Sequence, residues 1–332
     1  TQTRPEIVVE GSPDGRDWRA NEFKHKPGAL DRAPSWVAPL QPRLEAKVPT
    51  LMQPAAGAPI DFSRPSGEPA LCAPDSVSWQ VFRNPLTMFI GGVAAVVLEL
   101  AEPRVRTGVW EHTSFRERPM DRLRRTAQAA MLSVYGPRSQ AEAQIARVTR
   151  LHARVQGTTP EGQPYRALDR PLLDWVQATA SFGFLEAYAA HVRSLSPGER
   201  DRYYAEGAPA AALYGATGAP CTLAQQQGLF DAMQPALRAS PIVLEFLHIM
   251  QRIPALPLPL RPAQALLVRA AVQVVPAAVR ERLELGARWS VAPWEARWVA
   301  RAARGVDRWL FRAGPAVQAC RRLGLPDDYL YR

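Results

Sequence analysis

The chain has 332 residues, of which 47% are hydrophobic and 22% are charged. This is ordinary globular composition, and it excludes a disordered, collagen-like or coiled-coil chain. The formal net charge of +10 reflects 41 Lys and Arg residues against 31 Asp and Glu residues, but the arginines are scattered along the sequence, so we expect no nucleic-acid partner.

The cysteines and the apolar runs exclude further classes of protein. Cys72, Cys221 and Cys320 offer neither paired metal-ligand spacing nor an even disulfide framework. The longest uncharged apolar run, residues 86–98, is too short to span a bilayer, and no signal-peptide core opens the chain. We therefore expect no transmembrane segment and take the cytoplasm as the default location. Because the first residue is Thr1 and not Met, we expect either a processed chain or a fragment of a longer one.

The N-terminal quarter differs in character from the rest. Residues 1–45 are predicted to be a β-rich segment, with strand candidates at residues 7–9 and 18–23. Residues 46–75 are rich in Pro, Ala and Gly and are predicted to be a linker. Residues 76–332 show helical periodicity with few strand signals, which predicts a mainly α fold: an all-helical bundle behind a small β-rich segment.

Twelve helices are predicted in this second part, several with start or stop signals. Ser196 and Glu199 form a capping box, and Thr222 precedes an apolar-periodic run. Pro137 after Gly136 divides one long helical stretch into two. The predicted helices span residues 85–101, 104–112, 119–135, 139–156, 171–194, 197–214, 222–238, 241–252, 262–274, 276–286, 293–311 and 315–323.

The candidate chemistry rests on a few polar residues in apolar helices, since the sequence has no phosphate-binding glycine loop, nucleophile elbow or zinc-binding helix motif. Ile145, Val148, His152 and Val155 recur at a spacing of three and four, so they share one helix face. His152 in such a stripe is either a core histidine bonded to a neighbour or an axial ligand of haem iron.

The preceding helix carries a second candidate face. Arg122 and Thr126 lie one turn apart, and Ala129 and Ser133 continue that face with small side chains. The face either accommodates a flat ligand or is a solvated basic surface whose threonine bonds back to the backbone. His112 is predicted to end a helix, with a place at the ligand site as the alternative.

These residues lie in an ordered set of stretches. From about residue 72 to residue 331 the chain resembles the haem-dependent oxygenase family that contains the latex-clearing rubber oxygenases and the fungal MpaB-type oxygenase. The resembling stretches are residues 75–79, 91–95, 99–103, 108–112, 121–126, 151–157, 165–167, 174–176 and 321–324.

The resemblance implies an all-helical fold that binds haem b, with iron held by His152. It also implies that Arg122, Arg125 and Thr126 match an Arg-x-x-Lys-Thr motif beside the haem, with Arg125 in the lysine position. Arginine stays protonated, so a distal lysine-type ligand is excluded there, and Arg125 would instead pair with a propionate or an oxygen species. His112 falls in another resembling stretch and is assigned to the cofactor site with Arg122 and Thr126.

One departure from the family concerns Gln177. Many relatives have Trp-Val-His where this chain has Trp175, Val176 and Gln177. If that histidine serves the haem or the substrate in the relatives, this chain lacks the function.

Residues 1–45 resemble a different family, the C-terminal region of the lipase maturation factors. The resembling positions include Val9–Ser12, Trp18, Glu22–Gly28, Val37–Pro39 and Gln41–Leu44. In that family the region follows many membrane helices. This segment has no catalytic pattern of its own.

The resemblance leads to one functional expectation with two rivals. We expect a haem b oxygenase that acts on a small apolar substrate, isoprenoid or lipid-like, with dioxygen, and no partner protein is predicted. The first rival is a non-catalytic helical module that binds a lipid or a protein. The second is a haem protein without oxygenase activity, such as a sensor.

Overall fold

The chain divides into two units, residues 1–60 and 61–332, in the computed structural model of the protein. The structure describes residues 10–11, 19–20, 60–113, 115–256 and 261–332. In the first unit, β1 (Glu10–Gly11) pairs antiparallel with β2 (Arg19–Ala20), so that Glu10 lies opposite Ala20. β2 lies within the predicted strand 18–23. The predicted strand 7–9 and residues 46–59 of the predicted linker lie outside the described residues.

The second unit is built from helices, as the periodicity predicts. Its described residues form thirteen α-helices and one hairpin, in which β3 (Gln156–Thr158) pairs antiparallel with β4 (Pro164–Arg166). The helices are α1 (Val77–Phe82), α2 (Pro85–Ala101), α3 (Pro103–Glu111), α4 (Pro119–Tyr135), α5 (Arg138–His152), α6 (Arg170–His191), α7 (Pro197–Tyr214), α8 (Leu223–Met233), α9 (Pro241–Arg252), α10 (Arg261–Val274), α11 (Ala277–Arg282), α12 (Pro293–Asp307) and α13 (Pro315–Arg322).

The predicted start and stop signals are confirmed. Ser196 Oγ accepts from the Glu199 backbone N–H at 3.3 Å, while the Glu199 carboxylate accepts from the Ser196 backbone N–H at 2.8 Å. Thr222 Oγ1 caps α8 by accepting from the Gln225 N–H at 3.2 Å. α4 ends at Tyr135 and α5 begins at Arg138, on either side of the Gly-Pro break.

α2 forms the centre of the core, and it crosses α6 at two glycines. The buried residues of α2 include Ile90, Val97 and Leu98. A Cβ placed on Gly91 would lie 2.7 Å from the Gly183 carbonyl oxygen and 2.8 Å from the Phe184 Cα. Carbon and oxygen atoms do not approach this closely, so the crossing requires glycine.

A prediction that is wrong concerns the helix that carries His152. The predicted helix 139–156 ends early, because α5 stops at His152 and the chain enters β3 at Gln156. Ala153 and Arg154 form the turn between them. Val155 therefore does not continue the helical stripe that begins at Ile145. The hairpin with β4 fixes this end, since the Ala167 N–H donates to the Val155 carbonyl at 2.9 Å.

The lead-in to α1 is fastened to the C-terminal helix. Arg322 of α13 is 1% exposed, and its guanidinium donates to the backbone carbonyls of Phe62 at 2.6 Å, Glu68 at 2.8 Å and Tyr135 at 2.7 Å. These three carbonyls come from two separate parts of the chain. The arginine thus ties the residues before α1 to the end of α4.

No single helix of the described residues is long and apolar enough to cross a membrane. α2 and α3 satisfy the length and composition requirement only as a pair bent by 111°.

Candidate active site

Three helices bring an acid, an arginine and a histidine into electrostatic contact. Glu99 lies in the last turn of α2, Arg122 in the first turn of α4, and His152 is the last residue of α5. The charge of Arg122 acts on the pKa of both Glu99 and His152. None of the three side chains makes a hydrogen bond or an ion pair with another described residue.

Glu99 is the most strongly perturbed member of this group. Its side chain keeps some accessible surface, yet protein surrounds it closely enough that desolvation raises its pKa to about 7. The positive charge of Arg122 opposes that rise. Near neutral pH this carboxyl therefore exists in both protonation states, which suits a group that accepts and returns a proton.

Arg122 is a half-buried charged group. Desolvation lowers its pKa, the carboxylate of Glu99 counteracts that effect, and the nearby charge of Arg125 adds to it. A guanidinium remains protonated even so. A desolvated cation of this kind is suited to an anionic ligand group or to developing negative charge.

His152 has the properties of a free metal ligand. Burial and the charge of Arg122 both lower its pKa, so the imidazole is neutral at neutral pH. Neither ring nitrogen bonds to a described residue, which leaves a lone pair free for a metal. The interpretation of His152 as a core histidine bonded to a neighbour finds no bonding partner in the described part of the chain.

The described residues do not form a metal site from protein ligands alone. No three His, Cys, Asp or Glu side chains are grouped for metal binding in the described residues. An iron on His152 would therefore take its other ligands from a macrocycle, as it does in haem. The residues present fit haem in this respect.

α4 is only lightly packed where it faces this site. No residue from 119 to 131 is buried, and the buried residues of the helix are Leu132, Val134 and Tyr135. Met120 and Leu123 are partly buried and pack against the core. Thr126 is exposed one turn after Arg122. On the predicted face of small residues that follows Thr126, the Ser133 hydroxyl is already bonded within the helix, since its Oγ donates to the Ala129 carbonyl at 3.1 Å.

Two other predicted site residues lie at the edge of this group or outside it. Arg125 is exposed, and its Nε donates to the Asp121 carbonyl at 3.3 Å. His112 ends α3, as predicted, and its Nε2 lies 3.2 Å from the Tyr165 hydroxyl. The described contacts of His112 are therefore with the hairpin rather than with Arg122 or His152.

Gln177 lies on α6 and faces α7. Its amide nitrogen is 3.4 Å from the Ser181 hydroxyl, and it would be 3.9 Å from a Cβ placed on Gly207 of α7. These contacts are within α6 and with α7, and not with the group formed by Glu99, Arg122 and His152.

Sequence reasoning missed Glu99 as a functional residue. The available signal was its position, directly after the apolar run 86–98 and still inside the predicted helix 85–101. A carboxylate at that position must lie against the core or turn away from it. Only the fold decides which, because it buries Glu99 within reach of the charge of Arg122 on another helix.

Comparison with known proteins assigns the helical part of the chain to a protein family. The family described as ER-bound oxygenase mpaB/B'/Rubber oxygenase, catalytic domain, matches residues 79–309. This span contains all five predicted site residues. No solved structure matches the chain.

The N-terminal segment matches a second family, the lipase maturation factor C-terminal domain, over residues 1–55. The chain is 57% identical over 42 residues to human (Homo sapiens) lipase maturation factor 2 and 55% identical to the Gallus gallus protein over the same length. These 42 residues are 13% of this chain and 6% of each relative. The chain therefore covers a small fraction of these curated relatives.

Both expected resemblances are thus confirmed, and the longer match covers more than half of the sequence. The fold agrees with it, since the matched residues form the helical unit. By this match the chain belongs to the family of mpaB and rubber oxygenase catalytic domains.

Proposed function

We propose that the helical unit is a haem b-dependent oxygenase that acts with dioxygen on an apolar substrate, isoprenoid or lipid-like. The observation that carries this proposal is the neutral, unbonded imidazole of His152 beside the desolvated guanidinium of Arg122. Membership of an oxygenase family supports the reaction class.

The residues of the site have separate roles in this proposal. His152 would hold the iron through a ring nitrogen, and the haem when bound would supply dioxygen activation. Arg122 and Thr126 would shape the pocket and stabilise negative charge on its oxygen atoms. Arg125, close to Arg122 and exposed, is suited to a propionate. His112 would support the site from the edge through Tyr165.

Glu99 adds a proton-handling group to this set. With a pKa of about 7, its carboxyl accepts or returns a proton at neutral pH without a large energetic cost. Its position on the packed helix α2 fixes the carboxyl relative to the core. Removal of the carboxyl by Glu99→Gln is expected to lower oxygen uptake while the haem remains bound.

The apolar character of the substrate is supported by residues close to the site as well as by the family. Leu151, next to His152, is 54% exposed. Met120 and Leu123 of α4 are only partly buried. An apolar substrate in contact with such side chains removes their surface from water, which favours binding.

The test is an absorption spectrum of the purified full chain, expressed with ample haem. We expect a Soret band that shifts on reduction with dithionite and again under carbon monoxide. His152→Ala is expected to abolish haem retention. The control is His248→Ala, because His248 is bonded to Arg288 and stacks on Trp289, away from the site. Full haem retention in the His152→Ala variant would falsify the assignment of the ligand.

The other outcomes separate the rival functions. A chain without a Soret band after expression with ample haem would leave the fold unchanged and favour the non-catalytic module. Haem binding without oxygen uptake on unsaturated apolar substrates would favour a sensor.

A further inference from the structure

The exposed tryptophan and phenylalanine side chains of the described residues are concentrated in one stretch of 18 positions, from residue 294 to residue 311. Trp294 is 64% exposed, Trp298 45%, Trp309 67% and Phe311 37%. Exposed apolar residues are normal when they are scattered, but a concentration of this kind marks an interaction surface. The three exposed tryptophans leave about half or more of their surface in water, where a binding partner can contact it.

Helical spacing aligns these aromatic residues with arginines. In α12 the exposed positions Trp294, Arg297, Trp298, Arg301 and Arg304 follow one another at intervals of one to three residues, and the exposed Arg308 directly follows the end of the helix. Val299 and Ala303 lie on the opposite face and are buried, where α12 packs against α2, α6 and α10. We call the outward set, with Trp309 and Phe311, the tryptophan–arginine face.

The acidic residues of the same helix are withdrawn from this face. Glu295 forms an ion pair with Arg269 and accepts from the Ala292 N–H at 2.9 Å. Asp307 forms an ion pair with Arg83 and accepts from the Asn84 amide at 3.2 Å. Both carboxylates are therefore neutralised by partners outside α12.

The arginines of the face, in contrast, are available to a partner. Arg297, Arg301, Arg304 and Arg308 are exposed, and their guanidinium groups make no hydrogen bond or ion pair with the described residues. The face therefore presents cations and indole rings, while the two carboxylates of α12 are paired with residues of other elements. The sequence alone does not reveal this, because it does not show that Glu295 and Asp307 pair with residues of other elements.

We propose that the tryptophan–arginine face docks on the surface of an anionic phospholipid bilayer. Tryptophan prefers the boundary between headgroups and acyl chains, since its ring is apolar and its N–H needs a polar partner. Arginine binds phosphate groups in a bidentate manner and is attracted by anionic headgroups. An amphipathic helix with both residue types lies in the plane of the interface rather than across it. This inference does not depend on haem binding.

The experiment is co-sedimentation of the full chain with vesicles of phosphatidylcholine, with and without phosphatidylserine. We expect strong binding only to the anionic vesicles at low salt, weakening as salt screens the charges. The triple variant Trp294→Ala, Trp298→Ala, Trp309→Ala is expected to lose binding. Arg297→Gln, Arg301→Gln, Arg304→Gln together are expected to weaken binding about a hundredfold.

The matched control removes the same charge elsewhere. Arg147, Arg166 and Arg282 are exposed arginines on α5, β4 and α11, and their combined change to Gln should weaken vesicle binding far less. Unchanged helical content in circular dichroism establishes that each variant is folded.

Three results would overturn the inference. One is no binding to anionic vesicles at low salt, and another is equal loss of binding in the control and in the arginine variant. The third is binding of duplex DNA that the arginine variant loses, without binding to vesicles, which would assign the face to a nucleic acid instead.

Discussion

Burial disfavours the charged form of the Glu99 carboxyl, so the stability of the fold depends on pH. The pKa rises from the ordinary 4.5 to about 7 on folding. The unfolded chain therefore ionises at lower pH than the folded one. Burial of Glu99 therefore lowers the free energy of unfolding by an amount that depends on pH. This loss of stability is absent below about pH 4.5, grows as the pH rises towards about 7, and is complete above that, where it reaches at most about 3 kcal/mol.

Glu99→Gln removes this penalty, so the variant is expected to be more stable than the parent chain at high pH. We expect its advantage in the free energy of unfolding to grow by about 2 kcal/mol between about pH 5 and about pH 8. Urea unfolding at both pH values measures it. Glu117→Gln, an exposed control, should show no such growth, and a pH-independent difference for Glu99→Gln would contradict the assigned cause.

At the scale of single residues, the sequence predicts those site residues whose signal is local and misses those whose role depends on contacts between distant parts of the chain. His152 and Arg122 could be proposed from helical faces and family resemblance, because both lie on amphipathic helices whose pattern is local. The raised pKa of Glu99 arises from its burial in the folded chain and from the charge of Arg122 on another helix, neither of which is local in sequence. The contact of His112 with Tyr165 likewise depends on where the β3–β4 hairpin folds.

At the scale of elements, the crossing of α2 and α6 gives a sharp test. Gly91→Ala places a methyl group against the Gly183 carbonyl and the backbone of Phe184. Overpacking of this kind costs about 1–3 kcal/mol, even though Ala is the better helix former. Gly228→Ala in α8 is the control, since a Cβ there meets nothing within 4 Å.

We expect opposite signs for the two glycine variants. Gly228→Ala should raise the free energy of unfolding by up to about 1 kcal/mol, because the substitution gains helix propensity without a clash. Gly91→Ala should lower it. Denaturant unfolding of both variants decides the matter, and a stabilised Gly91→Ala chain would show that the two helices can separate at small cost.

Helix ends show how far local signals reach. The end of α4 at Tyr135 and the starts of α7 after Ser196 and of α8 after Thr222 are predictable from the sequence. Proline interrupts a helix, and Ser and Thr side chains bond to the backbone N–H groups of its first turn. The end of α5 at His152 was not, because the β3–β4 hairpin that follows it forms through pairing with residues ten positions away. α1, a six-residue helix, is too short to show a clear periodicity.

At the scale of the whole molecule, Arg322 connects distant parts of the chain. Arg322→Met would leave the carbonyls of Phe62, Glu68 and Tyr135 without their buried donor. Unpaired buried polar groups are costly, so we expect a loss of about 3 kcal/mol or more in thermal or urea unfolding. Arg321→Met is the neighbouring control, because Arg321 forms a surface ion pair with Asp327.

The control is expected to leave the unfolding midpoint nearly unchanged, since exposed ion pairs contribute little. Equal losses in both variants would mean that the three buried hydrogen bonds of Arg322 stabilise the fold no more than the surface ion pair of Arg321 does. The sequence could place both arginines in a C-terminal helix. It could not distinguish them, because their burial depends on residues more than 180 positions earlier.

The glycine crossing also determines how the molecule opens. Backbone contact between α2 and α6 leaves no space for water, so their amide protons should exchange with solvent only on global unfolding. α4 has no buried residue before Leu132, and its amides should exchange through smaller, more frequent openings. Glu99 therefore lies on the slowly exchanging side of the site and Arg122 on the rapidly exchanging side. Local opening of α4 would therefore expose Arg122 to solvent while the carboxyl on α2 remains in place.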